Sequence, residues 1–184
     1  MDPSTKSPVS FLAHVARLPR KGMPVVIHAD ARQREALARD HALAEVRSWR
    51  ADLIVEPWKR NGIKVSGRVV ADIVQECVVT LNPLETRIDE AVEGLFLPED
   101  SKLGRLGFER AGEIVIAAEG PDSPETFSGD SIDVGALAEE FFALAIDPYP
   151  RSKGAQIASA GLEEGDVEAD GPLQEKLRAL RDKL

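Results

Sequence analysis

The sequence is poor in residues that crosslink, coordinate metals or stack. It has one cysteine, Cys77, and three histidines, and its aromatic residues are six Phe, two Trp and one Tyr. A lone cysteine excludes an internal disulfide framework and any C-x-x-C metal site. No apolar run approaches the roughly 20 residues needed to cross a bilayer. Residues 1–10 lack a basic start followed by an apolar stretch, so no secretory signal is read there and the expected compartment is the cytoplasm. The glycine patterns that cradle phosphates, G-x-x-x-x-G-K-[ST] and G-x-G-x-x-G, are missing, as are H-x-x-x-H and H-E-x-x-H. His14, His28 and His41 therefore read as surface or half-buried residues. The carboxylates are too many and too loop-bound to single out an acid–base pair. Nothing points to an enzyme. No catalytic, cofactor-binding or metal-ligating residue is assigned, and neither a small-molecule substrate nor a membrane is expected as partner.

What is present is a core and a lopsided charge distribution. At 184 residues and 43% hydrophobic the chain suits one domain with a tail, and wholesale disorder is excluded. The net charge of −9 conceals opposite segments. Residues 1–70 hold thirteen Lys and Arg against seven Asp and Glu, whereas residues 71–150 hold four against eighteen. Such asymmetry suits either a molecule with two faces for unlike partners or segments that interleave in space.

The patterning predicts an α+β fold: a mostly antiparallel sheet of about five or six strands, two packed helices, and a flexible C-terminal tail ending in a short helix. Residues 1–9 form a flexible lead, 10–150 a single domain, and 151–184 a linker and short helix. Phe11, Ala13 and Val15 alternate as a first strand, and Pro24–Ala29 is a second. Asp30 caps a helix, with Gln33 completing a capping box. Val46–Lys59 and a long strand from Ile63 to about Leu81 flank Asn61-Gly62, a strong hairpin signal. Leu84–Leu97 adds a third strand to this meander. Ile114–Ala117 is a short strand in an otherwise irregular stretch, and Glu119–Asp130 is an exposed crossing. Asp133 caps a second helix whose apolar stripe is Val134, Leu137, Phe141 and Leu144. Pro148 and Pro150 stop it. Pro172 opens a final helix carrying Leu173, Leu177 and Leu180.

The candidates for contacting RNA are the cations of the first third and the tryptophan among them: Arg17, Arg20, Lys21, Arg32, Arg34, Arg39, Trp58, Lys59 and Arg60. Arginine beside an exposed aromatic can stack on unpaired bases. Trp49 reads as core. Cys77 reads as a small buried hydrophobe, with Glu76 beside it raising the thiol pKa.

Two blocks resemble one known family. Val65-Ser66-Gly67-Arg68-Val69-Val70-Ala71 followed by Gln75-Glu76-Cys77-Val78-Val79-Thr80-Leu81-Asn82-Pro83 is the first. Ile132-Asp133-Val134-Gly135, Glu139-Glu140 and Leu144-Ala145-Ile146-Asp147-Pro148-Tyr149-Pro150-Arg151 is the second. In order and spacing they resemble the YceD family, the large-subunit ribosomal RNA accumulation proteins, over roughly residues 10–155. The signature positions are Gly67, Gln75, Cys77, Thr80, Leu81, Pro83, Asp133, Glu139, Pro148, Tyr149, Pro150 and Arg151. Many members carry C-x-R-C-L where this chain has Cys77-Val78-Val79-Thr80-Leu81, so no role of a cysteine pair transfers. The form is similar to the alphaproteobacterial branch. The resemblance implies a non-enzymatic role in 23S rRNA accumulation and large-subunit biogenesis, without cofactors, with precursor rRNA or a basic ribosomal protein as partner. On this expectation the basic third touches RNA and the acidic 71–150 surface holds a protein. The alternative is an acidic protein-binding adaptor or assembly chaperone with no direct RNA contact.

Overall fold

A computed structural model describes residues 6–59, 61–99, 124–152 and 154. The expected strand at Ile114–Ala117, the final helix after Pro172 and the candidate Arg60 lie outside the described residues.

Three long strands dominate: β3 (Glu45–Trp58), β4 (Gly62–Glu76) and β5 (Pro83–Pro98). Period-two alternation places Ala51, Leu53, Val55, Val65, Val69, Ala71, Ile73, Ile88 and Val92 on one face, all buried. The order across the sheet is β2-β3-β4-β5-β6, where β2 is Met23–His28 and β6 is Glu125–Phe127. Every pairing is antiparallel except β5 with β6. A separate two-stranded ribbon joins β1 (Leu12–His14) to β7 (Ser131–Asp133).

Helix α1 (Ala31–Asp40) begins with the expected capping box: Gln33 N–H donates to Asp30, and the Gln33 side chain accepts from the Asp30 N–H. Helix α2 (Val134–Leu144) is capped by Asp133, which accepts from Ala136 N–H. Both helices and the ribbon cover one face of the sheet, where Leu37, Ala13, Ile132, Leu137 and Phe142 join one core with the strand residues. Val9, at the end of the expected lead, is fully buried in this core. Among the described residues no element covers the opposite face of the sheet.

Several sequence expectations are revised. The long strand stops at Glu76 rather than Leu81. The chain turns there because Cys77 N–H bonds Asn82 O and Leu81 N–H bonds Cys77 O, with Leu81 at φ 59°. In the β3–β4 hairpin positive φ falls on Lys59 and Asn61, not on Gly62, which pairs with Trp58 in a three-residue loop. Leu144 leaves the apolar stripe and is 82% exposed. Its place is taken by Ala138 and Phe142, because the sheet meets the helix on the side of those residues. The crossing at Glu119–Asp130 contains β6, too short for periodicity to reveal.

Candidate nucleic-acid interface

The open face shows what the meander does to charge. Antiparallel register sets Asp52 beside Arg68, Asp72 beside Arg87 and Ser66 beside Glu93. Arg68 Nε lies 2.9 Å from Asp89, Lys64 Nζ 2.7 Å from Glu93, and Arg47 Nη1 2.7 Å from Glu85. The acidic segment is thus folded directly onto the basic one. The expected division into a basic RNA surface and an acidic protein surface does not hold on this face, because hairpin pairing lays oppositely charged segments side by side. The hydrogen bond that Lys64 donates to Glu93 raises the Lys64 pKa, and the Arg50 hydrogen bonds hold the Asp52 carboxyl below the usual carboxylate range. Exposed pairs of this kind contribute little to stability. Their consequence is cancellation of charge.

Near one end of this face β3 is bulged between Val46 and Ser48. A cleft of about 480 Å³ opens there, lined by His28, Arg34, Arg47, Arg50, Arg87, Asp52 and Asp72 among others. Arg50 grips Asp52 with two hydrogen bonds of 2.7 and 2.6 Å. Asp72 accepts from Ser48 Oγ at 2.7 Å and from Arg87 Nη1 at 3.2 Å. Arg34 Nη1 donates to Ala29 O at 2.8 Å. Of the RNA-contact candidates among the described residues, only Arg34 lines this cleft. Arg87 sits in the acidic segment and His28 carries no motif, so sequence reasoning missed both. The bulge that gathers them has no sequence signal of its own.

The remaining candidates fall at two ends of the sheet. Arg17, Arg20 and Lys21 lie on the loop into β2, whose Gly22 packs against Ile54 and Glu56 near the β3–β4 hairpin. Trp58 and Lys59 belong to that hairpin, with Lys59 Nζ 4.4 Å from the Trp58 ring centroid. Trp58 is half-buried, and its own neighbour occupies one face of the ring. Arg32, Arg34 and Arg39 lie on α1, beyond the other end of β2, roughly 17 Å away along that strand. Arg39 is paired with Asp40 at 3.1 Å. Among the described residues no carboxylate lies within 4 Å of the cationic groups of Arg17, Arg20, Lys21, Arg32, Arg34 or Lys59. Trp49 is core, 2% exposed, with its ring edge-on to Phe142.

The two signature blocks meet at the α1 end. Gln75 is buried and donates to Asp147 O at 2.8 Å, 72 residues away in sequence. Val78 N–H bonds Pro150 O at 2.9 Å. Glu139 lies 3.0 Å from His41 Nε2, both largely buried, so His41 is a packed partner of α2 rather than a surface group. Asp133 also ties down the N-terminal segment through Phe11 N–H and Ser10 Oγ. Pro83 opens β5. The exposed signature residues are Gly67, Thr80, Leu81, Pro83, Pro148, Tyr149 and Arg151.

Cys77 is fully buried in this junction. Its sulfur accepts from Thr80 N–H at 3.5 Å and Ser152 N–H at 3.4 Å. Hydrogen bonds from Thr80 and then Ser152 bring its pKa down to about 6, against the effect of burial. This reverses the expected effect of Glu76, whose side chain points to the other side of the strand and is exposed. Thiolate ultraviolet absorbance of the folded protein should titrate with a midpoint near 6. Because the folded pKa is depressed, the thiolate's stabilising contribution is complete above the unfolded value of about 8.5 and is lost as pH falls through 6. Cys77→Ala should flatten that part of the stability–pH curve, and an unchanged curve would remove the assignment.

The comparisons with known proteins fit this junction. A family model described as "Large ribosomal RNA subunit accumulation protein YceD" matches residues 65–181. The chain belongs to the YceD family. No curated protein and no solved structure matches it. The matched stretch begins and ends later than the 10–155 read from the residues. It contains both YceD signature blocks but not the candidate cations from Arg17 to Arg60. The YceD description names an accumulation factor of the large-subunit ribosomal RNA, not an enzyme. Among the described residues no group of three His, Cys, Asp or Glu could hold a metal ion, and no helix is long and apolar enough to cross a membrane.

Proposed function

We propose that this protein is a non-enzymatic factor in 23S rRNA accumulation that contacts precursor rRNA directly during large-subunit assembly in the cytoplasm. Membership of the YceD family carries the reading. The cations supply the means. Arg17, Arg20, Lys21, Arg32, Arg34 and Lys59 stand without carboxylate partners among the described residues, and unpaired guanidinium and ammonium groups displace the counterions condensed on RNA phosphates. The adaptor reading is less favoured. Glu85, Asp89 and Glu93 are engaged with cations of the same sheet, which removes much of the acidic surface a basic protein would need.

Replacing Arg32, Arg34 and Arg39 together by Glu should abolish co-sedimentation with large-subunit precursors at moderate salt. Unchanged co-sedimentation would remove direct RNA contact by α1. A basic ribosomal protein retained by the isolated chain, with no RNA bound, would restore the adaptor.

A further inference from the structure

We propose that the cleft at the β3 bulge is a phosphate-binding site that takes a backbone phosphate of RNA. It is distinct from the loop and hairpin cations, and it rests on the reading of this protein as an RNA-contacting factor. Four guanidinium groups, Arg34, Arg47, Arg50 and Arg87, line it against two carboxylates, Asp52 and Asp72. Glu45 and Glu85, which hold Arg47 from outside the lining, bring the carboxylates to four, so the site rests on N–H donors left over by these pairs rather than on an excess of positive charge.

The pairing of these arginines does not exhaust them. A guanidinium has five N–H donors. Arg50 directs one bond to each Asp52 oxygen, Arg87 one to Asp72, and Arg34 one to the Ala29 carbonyl. Arg47 is held by Glu45 at 3.2 Å and Glu85 at 2.7 Å. Each partner restrains a flexible side chain, three on the sheet and Arg34 on α1, and leaves donors over. Ordering them in advance removes part of the entropy an anion would otherwise have to overcome.

The shape fits the same ligand. The cleft's volume lies in the range of small-molecule sites. Val70, opposite Arg50 in the β3–β4 register, adds an aliphatic surface beneath the charged rim, which suits a sugar beside the phosphate. Planar forks meeting tetrahedral oxygens two at a time distinguish arginine from lysine here.

The test uses the full chain, a fluorescent single-stranded RNA oligonucleotide and, separately, inorganic phosphate. Arg34→Ala and Arg34→Lys should each weaken RNA binding, the first about tenfold. The alanine variant should also make the dependence of log Kd on log salt shallower by about one unit. The lysine variant keeps the charge and loses the fork, so it separates geometry from net charge. Inorganic phosphate should compete with RNA and shift the amide resonances of Val70 and Arg50, and Arg34→Ala should abolish that shift. Unchanged circular dichroism shows that the variants are folded. RNA binding that ignores both Arg34 variants but falls with Arg20→Ala and Lys21→Ala overturns the cleft and leaves the RNA reading standing. Phosphate binding at Val70 without RNA binding supports the phosphate site and overturns the RNA reading. Neither ligand binding overturns the proposal.

Discussion

Gly135→Ala is expected to destabilise the protein by about 3 kcal/mol, although alanine normally favours a helix over glycine by about 1 kcal/mol. Gly135 stands in the first turn of α2. A Cβ there would lie 2.0 Å from Val9 O and 2.6 Å from Phe11 N. These are backbone atoms, so no rotamer change relieves the overlap. The segment from Val9 to Phe11 must leave, and with it go the burial of Val9, the Phe11 and Ser10 bonds to Asp133 and the Val134 N–H bond to Phe11 O. Burial of one valine and the loss of two or three hydrogen bonds outweigh the helix propensity gained. Urea unfolding measures the difference. A midpoint at or above that of the parent protein would show that the N-terminal segment does not cross α2 here.

Phe142→Ala should cost about 4 kcal/mol, the middle of the range for a large core aromatic. Phe142 is fully buried, and its ring meets His41 edge-on at 5.4 Å and Trp49 edge-on at 6.5 Å. It links α2, the end of α1 and β3, and it flanks the His41–Glu139 pair. The cavity would sit beneath the sheet, where neighbouring backbone cannot collapse to fill it. Trp49 emission should shift as its packing loosens, and the denaturation midpoint should fall. A loss under about 1 kcal/mol would mean the three elements do not converge on this ring.

The parts of the fold legible in the sequence are those whose cause is local. Asp30 and Gln33 satisfy each other's backbone N–H within four residues, so the start of α1 is readable from spacing. Alternation of Ile63, Val65, Val69, Ala71 and Ile73 against polar neighbours marks β4, because a half-buried sheet enforces period two. Strands β6 and β7 have three residues each and owe their existence to partners elsewhere in the chain, so no periodicity announces them. The candidate site is split in the same way. The free cations are visible as composition, but the cleft draws on β2, α1, β3, β4 and β5, and register and one bulge bring these together.

By itself, the sequence determined the α+β class, the meander, both helix starts and the family, since capping, alternation and motif order are properties of neighbouring residues. Tertiary structure alone decided how the two charge classes relate. The segments count as oppositely charged along the chain, yet antiparallel pairing sets Lys64 against Glu93, Arg68 against Asp89 and Arg47 against Glu85. It also decided that Gln75 reaches Asp147 and that Glu139 reaches His41. Electrostatic interaction depends on distance in space, falling with separation and screened beyond about 10 Å. Which charges cancel and which stay without a carboxylate partner among the described residues is therefore fixed only when the strands are in register.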